Sequence, residues 1–142
     1  MKKEKHIKED ILYTQDKVQI AYEHISRGSD SIIIICPGFF NSKKNRWMRR
    51  VADAVSSEYD TIIFDFRGHG DSGGKFSWAA KEYLDLEAIL NYVKKRGYKK
   101  IGILAFSLGA AASTIVAGKR NDIDSVYLQT FLDTSALFRF AA

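Results

Sequence analysis

The sequence predicts an α/β protein: a mostly parallel sheet with an antiparallel N-terminal hairpin, covered by helices on both faces as a three-layer α/β/α sandwich. Three observations carry this. Short apolar runs recur at residues 31–36, 61–66 and 100–106, each apolar on both faces as in buried parallel strands. Helical patterns separate them. The third run meets a small-residue helix across a tight turn at Ala105-Phe106-Ser107-Leu108-Gly109.

Each element follows in order. Val18, Ile20 and Tyr22 alternate with Gln19, Ala21 and Glu23, which predicts a half-buried strand. Ile11-Leu12-Tyr13 precedes it across Thr14-Gln15-Asp16-Lys17, so the two form a hairpin. A turn at Arg27-Gly28-Ser29-Asp30 leads into the first buried strand. Trp47, Met48, Val51, Ala52 and Val55 share helical spacing, predicting a helix over about 44–57. Tyr83, Leu86, Leu90 and Val93 predict another over about 78–96, ended by Gly97 behind a basic last turn. Residues 108–118 read as the helix after the turn, and residues 125–130 as a last strand.

Composition narrows the function classes. With 142 residues, 46% hydrophobic and 27% charged, the chain suits one domain with one core. The net charge of +5 comes from basic pairs at element ends, including Lys43-Lys44 and Lys94-Lys95-Arg96. These read as solvated helix ends, not as a nucleic-acid surface, which would gather basic residues on one face. A single cysteine, Cys36, fits a reducing compartment. The charged N-terminus has no apolar stretch behind it, and no run approaches the roughly 20 residues of a membrane span. The expected location is cytoplasmic.

Sites in open α/β sheets form beyond the carboxyl ends of the strands. Three loops should leave that edge: Cys36-Pro37-Gly38-Phe39-Phe40, the segment 65–74, and Phe106-Ser107-Leu108. A serine in a strand-to-helix turn with small residues at −2 and +2 has the pattern of a nucleophile elbow, here with Ala105 where glycine is usual. The Leu108 N–H, next to the serine and at a helix N-terminus, is one candidate oxyanion donor. The Phe39 N–H is the other, with Gly38 allowing close approach. Gly68-x-Gly70-x-x-Gly73 also matches a dinucleotide fingerprint. Its context is wrong, because a loop follows instead of a helix and an earlier buried strand is already present.

These motifs, in this order and spacing over residues 10–130, resemble the α/β-hydrolases, specifically the serine acyl-hydrolase branch with lipase-like and aminopeptidase-like members. Asp65-Phe66-Arg67-Gly68-His69-Gly70-Asp71-Ser72 carries the resemblance most specifically. The resemblance implies Ser107 as nucleophile, Phe39 and Leu108 as oxyanion donors, carboxylic ester or related acyl substrates, and no cofactor or metal. It makes the segment 65–72 structural. It also implies a single, incomplete domain over 1–142, truncated after about the sixth strand. The family's acid and histidine follow the nucleophile. Asp133 stands where some lipase-like relatives carry the acid, but no histidine follows Ser107; the three present are His6, His24 and His69. The alternative is therefore an inactive truncated form or a module completed by another chain. Self-association is expected through an open edge at residues 125–130, beside Phe131 and Leu132.

Overall fold

A computed structural model describes residues 3–38 and 40–129. The elements run β1 (His6–Tyr13), β2 (Gln19–Ser26), β3 (Ser31–Cys36), α1 (Arg46–Ser56), β4 (Asp60–Phe64), α2 (Glu82–Lys95), β5 (Lys100–Phe106), α3 (Leu108–Ala117) and β6 (Ser125–Gln129). They build one sheet of order β1-β2-β4-β3-β5-β6. The last four strands in that order are mutually parallel, and β2 joins them antiparallel through β4.

The alternation of side chains across the pleat explains the layers. Ile32 and Ile34 of β3 face Leu86, Ile89, Leu90 and Val93 of α2 and Ala112 and Val116 of α3. Ile33 and Ile35 face Met48, Val51, Ala52 and Val55 of α1. One helix covers one face and two cover the other. Each fully buried aliphatic side chain contributes about 1.5–3 kcal/mol, so four consecutive isoleucines buried on both faces make β3 the centre of the core.

Several boundaries differ from the sequence reading. The second strand is buried on both faces because α1 reaches over it: Glu23, expected outward, is clamped by the Arg49 guanidinium at 2.9 and 3.0 Å. The fourth strand ends at Phe64, and Asp65 and Phe66 already belong to the following loop, though both are buried. The second helix starts at Glu82 rather than near 78. Trp78 and Ala79 have φ of 53° and 72°, and the Glu82 carboxylate turns back to accept from the Ser77 N–H at 2.8 Å and from the Ser77 hydroxyl. β6 is described to Gln129; Thr130, Phe131, Leu132, Asp133 and the apolar tail lie outside the described residues.

Candidate active site

β3, β4 and β5 run in the same direction, so Cys36, Phe64 and Phe106 end together and their loops share one edge. At the end of β5 the chain reverses through Ser107, whose φ of 48° and ψ of −107° a non-glycine residue rarely adopts. A conformation of this kind costs on the order of 1–3 kcal/mol and persists only where the surroundings enforce it. The enforcement is visible. The Ser107 N–H donates to the Gln129 carbonyl at 2.9 Å, and its own carbonyl accepts from Ala110 and Ala111 of α3. Ser107 is exposed, while Phe106 and Leu108 on either side are buried.

Two glycines let the neighbouring segments close in. A Cβ on Gly109 would lie 2.5 Å from the Cys36 carbonyl oxygen, so only glycine lets α3 start this close to β3. A Cβ on Gly38 would lie 3.2 Å from both the Phe106 carbonyl oxygen and Ser107 Cβ, which brings the loop after β3 against the turn. Among the described residues nothing accepts from the Leu108 N–H. It is one of the donors that a helix start leaves open, and the helix dipole adds positive potential there. Phe39, the other sequence-derived donor, lies outside the described residues, as does Asp133.

The segment 65–74 is built differently. The buried Asp65 carboxylate accepts from the Lys43 N–H at 2.7 Å, from Lys43 Nζ at 3.2 Å and from the Asp71 N–H at 2.9 Å. Arg67 Nε and Nη2 donate to Asp85 at 2.9 and 2.7 Å, and its other contacts reach Asp16 at 2.8 and 3.0 Å. Burial works against the Arg67 charge, but these two carboxylates hold its proton more tightly than water would. The Ser72 hydroxyl donates to the Asp65 carbonyl at 2.6 Å and accepts from the Ala21 N–H at 2.8 Å. Cβ atoms on Gly68 and Gly70 would meet the Phe76 backbone at 2.4 Å and the Asp65 carboxylate at 2.2 Å. The space beside these glycines is filled by protein, which leaves no phosphate cradle.

Lys43 is the residue the sequence reading misplaced. It was expected in a solvated basic pair and is instead 4% exposed, bridging Asp65 and, at 2.7 Å, Asp71. Its own neighbours in sequence carry no signal of that burial, which comes from Asp65, 22 residues on.

No histidine reaches the serine. His69 turns its Nδ1 to the Arg67 carbonyl at 3.0 Å and packs edge-on against Phe76. His24 lies in β2. It is buried, with its ring nitrogens 3.1 and 2.8 Å from the Tyr92 and Tyr98 hydroxyls. Tyr98 in turn donates to Asp60 at 2.6 Å. Burial pushes the His24 pKa down, partly offset by Asp60. His6 lies in exposed β1. Burial pushes the Cys36 thiol up to about 12, so it stays protonated and inert. Among the described residues no cluster of His, Cys, Asp and Glu could hold a metal ion, and no helix is long and apolar enough to cross a membrane.

A family model described as the alpha/beta hydrolase fold matches residues 31–141. Among solved structures, an esterase from Pyrococcus furiosus is 32% identical with a TM-score of 0.79, over 85% of this chain and 49% of that one. A serine hydrolase homologue from Coxiella burnetii is 21% identical with a TM-score of 0.73, over 85% of this chain and 61% of that one. The protein Est1E from Butyrivibrio proteoclasticus, solved with ferulic acid, is 22% identical with a TM-score of 0.71, over 81% and 50%. No curated protein matches. The chain thus spans about half the length of the first solved relatives it resembles. With its six-stranded mixed sheet, antiparallel N-terminal hairpin and helices on both faces, this chain belongs to the α/β hydrolase fold family.

Proposed function

We propose that this chain carries the nucleophile and oxyanion portion of a serine hydrolase site for carboxylic esters or related acyl compounds. The observation that carries the reading is Ser107: exposed, held at a strained φ of 48°, and next to an open N–H at the start of α3. The esterase among the solved relatives supports the substrate class.

In this reading the Ser107 hydroxyl oxygen attacks the ester carbonyl carbon while its proton passes to a base. The tetrahedral oxyanion accepts from the Leu108 and Phe39 N–H groups, each donor worth about 2.7–4 kcal/mol. Collapse breaks the carbon–oxygen bond to the alcohol, which leaves with the proton, and water then cleaves the acyl-serine. In this reading neither His24 nor His69 serves as that base, because their ring nitrogens are held by Tyr92, Tyr98 and the Arg67 carbonyl. Without a base, activity falls by on the order of 10⁶, leaving about 10³–10⁴ over water.

Chemical rescue tests this directly. With a p-nitrophenyl ester, added imidazole should accelerate release by the wild-type chain well beyond the Ser107→Ala chain in the same buffer. Mass spectrometry should find the acyl group on the Ser107 peptide. Equal imidazole-dependent rates with no acylated Ser107 would reject the reading. They would favour the second one, a non-catalytic module completed by another chain, which the exposed Val126 and Leu128 on β6, terminal in the sheet among the described residues, support.

A further inference from the structure

The opposite edge of the sheet carries a separate feature. β1 is the terminal strand there, pairing with β2 on one side only among the described residues. Its register puts Ile7 opposite Ile25, Ile11 opposite Ala21 and Tyr13 opposite Gln19, all on the α1 face. α1 does not reach that far, and Ile7, Ile11 and Tyr13 are 54%, 44% and 59% exposed. The other face of β1 carries Lys8 and Asp10, themselves 3.9 Å apart. The direction of the outward backbone groups is also fixed. The Ile11 N–H donates to the Asp10 side chain at 2.8 Å instead of to β2. Donors alternate along a strand, so Ile7, Glu9 and Ile11 present their N–H and C=O groups to the open edge.

We propose that this edge pairs with itself: two copies join β1 to β1 antiparallel about a two-fold axis through Glu9, making one continuous sheet. The register follows from charge. Centred on Glu9, the pairing sets Lys8 opposite the partner's Asp10 and Asp10 opposite the partner's Lys8 on one face. On the other it sets Ile7 opposite the partner's Ile11, twice by symmetry. A shift to a Lys8 centre opposes Lys8 to itself and puts Ile7 against the partner's Glu9. A shift to an Asp10 centre opposes Asp10 to itself and Lys8 to the partner's Leu12. Only the Glu9 centre makes both the ionic and the apolar pairs. The Ile7–Ile11 and Glu9–Glu9 pairs then exchange backbone hydrogen bonds, the Ile11 N–H giving up the Asp10 side chain for the partner's Ile7 carbonyl. Its one unfavourable contact is Glu9 against Glu9 at the axis. The charges therefore exclude unmatched strands while admitting a copy of the same one. The interface is independent of the chemistry at Ser107.

Sedimentation of the wild-type chain should show a concentration-dependent dimer. Lys8→Asp should weaken it by roughly tenfold or more, since two attractive cross-strand pairs become repulsive. Adding Asp10→Lys to that variant reverses both charges and should restore the dimer. Glu9→Gln should tighten it. A wild-type monomer at every accessible concentration overturns the proposal. So does a dimer that ignores Lys8→Asp or that the double reversal fails to restore. Circular dichroism on each variant separates lost pairing from lost folding.

Discussion

The loop after β4 and the turn after β5 leave the same edge of the sheet, and they use their polar groups in opposite ways. In residues 65–74 the buried carboxylate of Asp65, the guanidinium of Arg67 and the hydroxyl of Ser72 all find partners inside the protein. At the turn, the Ser107 side chain is exposed, its backbone is strained and the Leu108 N–H has no acceptor among the described residues. Saturation marks scaffold. A strained residue beside an open donor marks a place where a ligand could complete the bonding. The more family-specific of the two motifs is therefore the one with less left over for chemistry.

Substitutions in the two regions should move stability in opposite directions. Arg67→Met should cost the most, about 3–5 kcal/mol, because it leaves the fully buried Asp85 carboxylate without its cation. Urea unfolding measures this, and adding Asp85→Leu should return a large part of the loss. A neutral Arg67→Met would mean that the loop is not the scaffold described here. Ser107→Gly should go the other way. Glycine adopts a φ of 48° without strain, so unfolding should need about 1–2 kcal/mol more, while acylation at that position disappears. A Ser107→Gly chain less stable than wild type would show that the turn stores no strain.

The smallest effect is a titration. The Lys43 and Lys44 ammonium groups hold the Asp71 carboxyl down at about 2, below the roughly 3.9 of an unfolded aspartate. Between those values the unfolded chain binds the proton and the folded chain does not. The stabilisation from Asp71 is thus complete above the unfolded value and is lost as pH falls through the folded one. Asp71→Asn should flatten the acid limb of the stability curve slightly, and carboxyl chemical shifts against pH should place the wild-type transition near its depressed value.

Much of this fold was legible in the sequence because it rests on local pattern. The isoleucine run 32–35 can only be a strand buried on both faces, and the switch from apolar strand to small-residue helix at Ser107 needs a sharp turn. What escaped depends on partners remote in sequence or on backbone conformations that periodicity does not report. Lys43 is buried because Asp65, 22 residues on, waits for it. The helical spacing of 83–93 hides that Ser77 loops back onto Glu82 and delays the helix. The burial of His24 is not legible locally because Tyr92 and Tyr98, which hold its ring nitrogens, lie 68 and 74 residues downstream. Of the site, the sharp turn at Ser107 and the helix that starts at Leu108 were readable, and no pattern pointed to a base among the three histidines.

The Lys43 clamp has a consequence for motion. Its backbone N–H and its ammonium both hold Asp65, so the loop after β3 is fastened to the loop after β4 at the first residue beyond that strand. Lys43 cannot leave this place while it holds Asp65, and Asp65 cannot leave without releasing the Asp71 N–H as well. Two stretches that look separate in sequence should therefore open together, and the Lys43 and Asp71 amides should share one protection against hydrogen exchange.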